Sequence, residues 1–258
     1  MTFYASTLRT GLLTALIVSV SPLAAQQPNS ARAAIANQTD QTIHLGTFSY
    51  QQGQLRGASS SRSTVLWDNS VGTGLFLNSQ GQEILDTGDL PNDLIVGEFE
   101  LGFATDASGS VTIRYNFYQN NNSNSVGSLL TTVGGGIATY EMTVDDLPGG
   151  GFLTYIMNVK LAPEDSFIIS GPDTDSNPGS DWGWGFTAID VGNATQIGPI
   201  VSAEGAIPGA PGREDNYDVF TPDVATGTYT GTMTVGPQFS QFHMLLREAA
   251  VFEDGFEG

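Results

Sequence analysis

In "GPDTDSNPGSDWGWGF", residues 171–186, oxygen-bearing side chains run directly into large aromatic rings. Asp173, Asp175 and Asn177 stand at alternating positions, and Gly179 and Asp181 follow. Calcium takes about six to eight oxygen ligands, and a D-x-D-x-N loop brings side-chain oxygens to one point as the chain curls. The spacing is not that of an EF-hand. Pro178 stands where that loop needs glycine, and its twelfth position is Trp184, not a glutamate. Two readings remain: a calcium loop of another shape, completed by Asp181 or a backbone carbonyl, or a solvated acidic turn. The turn is favoured, because Asp, Asn, Pro and Gly are ordinary turn residues.

Trp182, Trp184 and Phe186 alternate with Gly183 and Gly185, so the three rings share one strand face. Exposed, they form a flat platform on which sugar rings could stack. Turned inward, they are core, and the glycines admit a neighbouring backbone. Interior placement is favoured, since large aromatics dominate protein interiors. Trp67, in "STVLWDN", reads as core for the same reason.

Little else offers chemistry. The histidines are His44 and His243, both read as surface strand residues; His243 alternates onto the face of Gln241 and Arg247. Neither a G-x-S-x-G elbow nor an H-E-x-x-H pair occurs, and "VGGGIA" (133–138) lacks the lysine of a phosphate loop. A glycosidase needs a pair of carboxylates. Glu98 and Glu100 in "GEFEL" share a strand face about 7 Å apart, a separation that fits neither glycosidase geometry well. Alternation alone explains them as the polar side of a half-buried strand.

The first 25 residues carry Arg9, an apolar run from Leu12 to Val20, then Pro22, Ala24 and Ala25, the layout of a Sec-type signal peptide. The run is short for a bilayer span, which takes about 20 residues. There is no cysteine. This excludes disulfides, a thiol nucleophile, a thiolate metal site and a lipoprotein anchor. With no second apolar span, the mature chain is expected to lie outside the membrane, secreted or at the cell surface. Twenty-seven acids stand against eight basic residues, for a net charge of −19. Such a surface repels phosphate backbones, so nucleic acid is excluded as a partner.

The elements that must position these residues are strands. Val111, Ile113, Tyr115 and Phe117 take one face of "SVTIRYNFY", opposite Thr112, Arg114 and Asn116. Ile95, Phe99, Leu101 and Phe103 group in the same way. So do Ala138, Tyr140, Met142 and Val144; then Leu153, Tyr155, Met157, Val159 and Leu161; then Tyr229, Met233 and Val235; and finally Phe242, Met244 and Leu246. Period-two alternation with one wet face indicates antiparallel sheet. Roughly ten to twelve strands at this spacing predict an all-β, antiparallel two-sheet β-sandwich, jelly-roll-like. The expected organisation is a signal peptide (1–25), a polar linker (26–40), one sandwich domain (41–249) and an acidic tail (250–258). Residues 119–128 read as a hairpin tip and 202–215 as a surface loop.

"VLWDN", followed by "DLIVGEFELGFATDASGSVTIRYNFYQNNNSNSVGSLL", resembles the secreted β-sandwich proteins of environmental bacteria known as the choice-of-anchor type. The later "YDVF" (217–220) fits the same style, and "VFEDGFEG" is similar to a short Phe-x-Asp-Gly-Phe-Glu tail of secreted Gram-negative proteins. The resemblance implies an extracellular sandwich and carries over no catalytic residue. The resulting expectation is a monomeric, non-catalytic binding or structural module. Its candidate partners are glycan or extracellular matrix, with calcium as candidate cofactor. The alternatives are a purely structural surface protein and a β-sandwich glycosidase.

Overall fold

A computed structural model describes residues 36–37, 41–58, 64–68, 70, 72–76, 78–79, 83–90, 94–119, 127–170, 180–202, 217–223, 228–230 and 242–249. All lie in one compact unit, residues 33–258. The signal peptide, the 202–215 loop beyond Ser202 and the acidic tail expected from the sequence lie outside the described residues.

Sheet I is built around β7 (Leu94–Thr105). One edge of β7 pairs first with β11 (Leu153–Leu161) and then with β12 (Phe167–Ile169). The opposite edge pairs with β14 (Ile197–Ser202) and then with β17 (Met244–Glu248). Beyond β14 lie β5 (Gly72–Phe76) and β1 (Ala36–Asn37); beyond β17 lies β4 (Val65–Asp68). Beyond β11 come β2 (Thr42–Gln51) and β3 (Gln54–Ala58). Sheet II runs β10 (Thr139–Pro148), β8 (Ser108–Gln119), β13 (Ser180–Asp190), β6 (Glu83–Leu90), β15 (Tyr217–Asp223) and β16 (Thr228–Thr230). The short β9 (Ser128–Leu129) pairs antiparallel with the end of β8, and residues 120–126, read as the hairpin tip, lie outside the described residues.

The fold is therefore an all-β, two-sheet sandwich whose pairings among the described residues are antiparallel except for β11 with β2. This strand order does not establish jelly-roll connectivity. Seventeen strands are present among the described residues, more than the alternation predicts. The surplus consists of pieces such as β1, β9 and β12, only two or three residues long, too short to carry a readable period. Through β1, sheet I also reaches back into the stretch read as linker.

Alternation explains the core. Val111, Ile113, Tyr115 and Phe117 of β8 face Phe99, Leu101 and Phe103 of β7 within one cluster. The cluster also holds Tyr140, Met142 and Val144 of β10, Tyr155, Met157 and Val159 of β11, and Phe242, Met244 and Leu246 at the C-terminal end. Fully burying side chains of this size contributes about 1.5–3 kcal/mol each. Aromatic packing adds geometry: Phe117 stacks on Phe167 at 4.3 Å between ring centroids, and Phe103 stacks on Tyr155 at 5.3 Å.

One inward assignment fails. Ile95 is 42 % exposed, while Val96 is buried in its place. Along the β7–β17 pair, Glu98 faces Arg247 and Val96 faces Glu248, leaving Gly97 as an extra residue on β7. A bulge reverses the side-chain parity across it. A Cβ on Gly97 would stand 2.4 Å from the Ala249 Cα, so the bulge is set where only glycine fits.

Candidate functional site

Of the proposed calcium ligands, Asp173, Asp175 and Asn177 lie outside the described residues. The backbone of Asp181 lies in β13, in register with Asp89 of β6. Among the described residues, no group of three or more His, Cys, Asp or Glu side chains is placed to hold a metal ion.

Trp182, Trp184 and Phe186 are 0, 1 and 1 % exposed, inside the core cluster. β13 sits centrally in sheet II between β8 and β6, and its ring-bearing face turns toward sheet I. Trp182 stacks on Trp184 at 4.6 Å, and Trp67 meets both edge-on at 5.5 and 6.1 Å. Buried rings offer sugars no platform, so a ligand-binding role for these three residues as an exposed surface is withdrawn. The chain's three tryptophans thus form one cluster, and among the described residues none of their indole N–H groups has a hydrogen-bond partner. Packing holds them against about 1–3 kcal/mol of desolvation for each unmet donor.

One of the glycines between the rings, Gly185, serves a different purpose from the one expected. Gly185 admits a carboxylate, not a backbone. A Cβ there would stand 2.0 Å from Oε1 of Glu83. That same oxygen accepts hydrogen bonds from Asn116 Nδ2 at 2.9 Å and from the Tyr118 hydroxyl at 2.8 Å. Glu83 is 2 % exposed, and Leu85, Tyr118 and Leu129 pack nearby in a small apolar cluster. The result is a buried polar centre on the outer face of sheet II. It could have been sought where a glycine of one strand falls beside a carboxylate of another, but that requires the strand pairing, which the chain does not spell out locally.

On the outer face of sheet I, Glu98 and Glu100 do share a side of β7, as the alternation predicts. Glu98 is only 4 % exposed and is held by Arg247 Nε at 3.4 Å, with Lys160, the only lysine, in register on the other side. Glu100 bonds to His243 Nε2 at 2.8 Å. His44 is exposed, but His243 is not the surface residue its alternation implies: it is 1 % exposed. It directly precedes β17, its amide bonds to the Ile200 carbonyl, and its ring lies against Gly102 and beside Ile200. Each acid is therefore occupied by a specific base. As arranged, the two acids make cross-strand ties to Arg247 and His243.

Two further polar residues went unread. Asp86 occupies an inward position on β6, opposite Trp184, and is fully buried. Its Oδ2 accepts the backbone amide of Phe242 at 2.7 Å, tying sheet II to the C-terminal strand. Asp106, at the β7–β8 turn, accepts the amides of Thr195 at 2.8 Å and Gln196 at 3.1 Å, together with the Thr195 hydroxyl. Desolvation pushes the Asp106 carboxyl upward, but the Thr195 hydroxyl and the amides of Gln196, Thr195 and Asp106 itself outweigh it, and the group lies below its ordinary value. Burial drives the Tyr115 and Tyr140 hydroxyls well above the ordinary tyrosine range, so both are neutral donors. The Tyr140 hydroxyl donates to the Asp165 carbonyl at 2.6 Å.

Comparison with protein-family models, with characterised proteins and with solved structures found no match to this chain.

Proposed function

We propose that this chain is a secreted, non-catalytic module whose role is structural, in the extracellular space or at the cell surface. One observation carries the reading. The residues best suited to hold a ligand, Trp182, Trp184 and Phe186, are packed into the core that joins the two sheets. The carboxylates best suited to acid–base chemistry, Glu98 and Glu100, are tied to Arg247 and His243, which argues in the same direction. Export rests on the signal-like layout of residues 1–25 and on the resemblance to secreted sandwich proteins. Calcium support through Asp173, Asp175, Asn177 and Asp181 rests on the D-x-D-x-N spacing alone.

Two measurements test this. Expression of the full chain in a Gram-negative host, followed by mass determination of the exported product, is expected to give a protein that starts at Gln26. A chain retained in the cytoplasm with Met1 intact would count against secretion. The exported product is then applied to a glycan array. The structural role predicts no saturable, competable binding, and a specific glycan ligand would replace it with a binding function.

A further inference from the structure

The C-terminal strand occupies an unusual place for a segment so late in the chain. β17 does not extend an edge of sheet I. It lies between β7 and β4, paired with residues 96–101 on one side and 65–68 on the other. Among the described residues, β4 joins the sheet through β17. Phe242, Met244 and Leu246 enter the core, and Leu246 stands opposite Trp67. The segment is also fastened by polar contacts at both ends. The Phe242 amide reaches Asp86 in the other sheet, and His243 reaches Glu100. Arg247 reaches Glu98, the Glu248 amide bonds to the Thr64 carbonyl, and the Ala249 amide bonds to the Ile95 carbonyl.

These contacts span very different lengths of chain. The tie between β8 and β10, Arg114 to Glu141, joins residues 27 apart. His243 and Glu100 are 143 apart, and Phe242 and Asp86 are 156 apart. Bringing distant segments together costs loop-closure entropy before any contact rewards it, so local pairings form early and long-range ones late. A strand that must slot between two others has a second requirement: the framework that receives it has to exist first.

We propose that Phe242–Ala249 is a strap that docks last and completes the fold. Until it does, the β7 edge from Val96 to Leu101 stands unpaired, and β4 with Trp67 has no place in the sheet. The strap is recognised as an added strand is, by main-chain hydrogen bonds along β7 and β4 and by alternate side chains entering the core. Its polar ends, at Asp86 and Glu98, set the register. This holds wherever the protein works.

The test uses the full chain. Folding and unfolding rates are compared for Met244→Ala and Leu246→Ala in the strap, and for Val111→Ala and Met142→Ala in the β8–β10 hairpin. A late strap predicts that its variants unfold about tenfold to a hundredfold faster while refolding changes by less than about twofold. The hairpin variants are expected to refold about tenfold more slowly. Strap variants that slow refolding as much as hairpin variants would overturn the proposal. Should a strap variant fail to fold, native-state hydrogen exchange on the unaltered protein decides. The β17 and β4 amides are expected to exchange through an easier opening than those of β8 and β10, and a single shared opening would overturn it.

Discussion

Replacing Gly185 with alanine is the most exacting check on the buried polar centre of sheet II. The added Cβ would lie 2.0 Å from Glu83 Oε1 and 2.7 Å from Cδ, so the carboxylate must leave its position. When it leaves, Asn116 Nδ2 and the Tyr118 hydroxyl lose the acceptor they share. A hydrogen bond to a charged group contributes about 1.5–3 kcal/mol, so losing the two together costs about 3–6 kcal/mol. Relief of the backbone entropy of a strand glycine returns about 0.5–1 kcal/mol. A net loss of about 3 kcal/mol lowers Tm by roughly 6–12 °C in a chain of this size. Glu83→Ala alone is also expected to destabilise, by a similar amount and for the same reason. The informative comparison is the pair. Once Glu83 is alanine, the space over Gly185 is empty, and adding Gly185→Ala costs less than about 1 kcal/mol more. Urea unfolding of the wild type, the two single variants and the double variant gives the cycle. Strict additivity, with Gly185→Ala equally harmful in both backgrounds, would refute the assignment of that glycine to the carboxylate.

Three other outcomes follow from the same contacts. Arg247→Ala removes one of the contacts that hold the buried Glu98, and chemical denaturation is expected to show a loss of about 0.5–3 kcal/mol, which is smaller when Glu98 is already Gln. Asp106 lies below its ordinary value in the folded protein, so its stabilising contribution is full above about pH 4, the unfolded value, and fades as the pH falls toward the folded one. Asp106→Asn should flatten stability against pH in that acid window while leaving the slope at neutral pH unchanged. A calcium ion held through the proposed D-x-D-x-N ligands, at about 100 times its dissociation constant, would add about 2.7 kcal/mol over chelator in thermal unfolding, an increment that Asp175→Ala abolishes; identical unfolding with and without calcium would remove the metal from the account.

Much of the architecture can be read locally because sheets repeat every two residues. Wherever a strand kept that period for six or more positions, as in β8, β10 and β11, its inward residues are those the alternation names. The reading breaks at Ile95 because a single extra residue at Gly97 shifts the parity, and nothing in "LIVGEFELGF" marks which glycine is the bulge. His243 shows a second kind of failure. Its face was assigned correctly, but its exposure depends on β17 lying between two strands more than a hundred residues earlier in the chain, which no local pattern encodes. Asp86 shows a third. A charged residue at an inward position looks like an error of register until the amide of Phe242, from the far end of the chain, arrives to meet it. The aromatic run at 182–186 was legible as two alternatives, and only the pairing of β13 between β8 and β6, face inward, chose between them.

Tryptophan fluorescence bears on all of this at once, since Trp67, Trp182 and Trp184 are the only emitters of their kind and sit in one cluster where the two sheets meet. A packed sandwich predicts native emission shifted well to the blue of free indole in water, and near-complete protection from acrylamide until the chain unfolds in one step. Red-shifted native emission with quenching as efficient as in the denatured chain would place the rings in solvent, and the sandwich core described here would not exist.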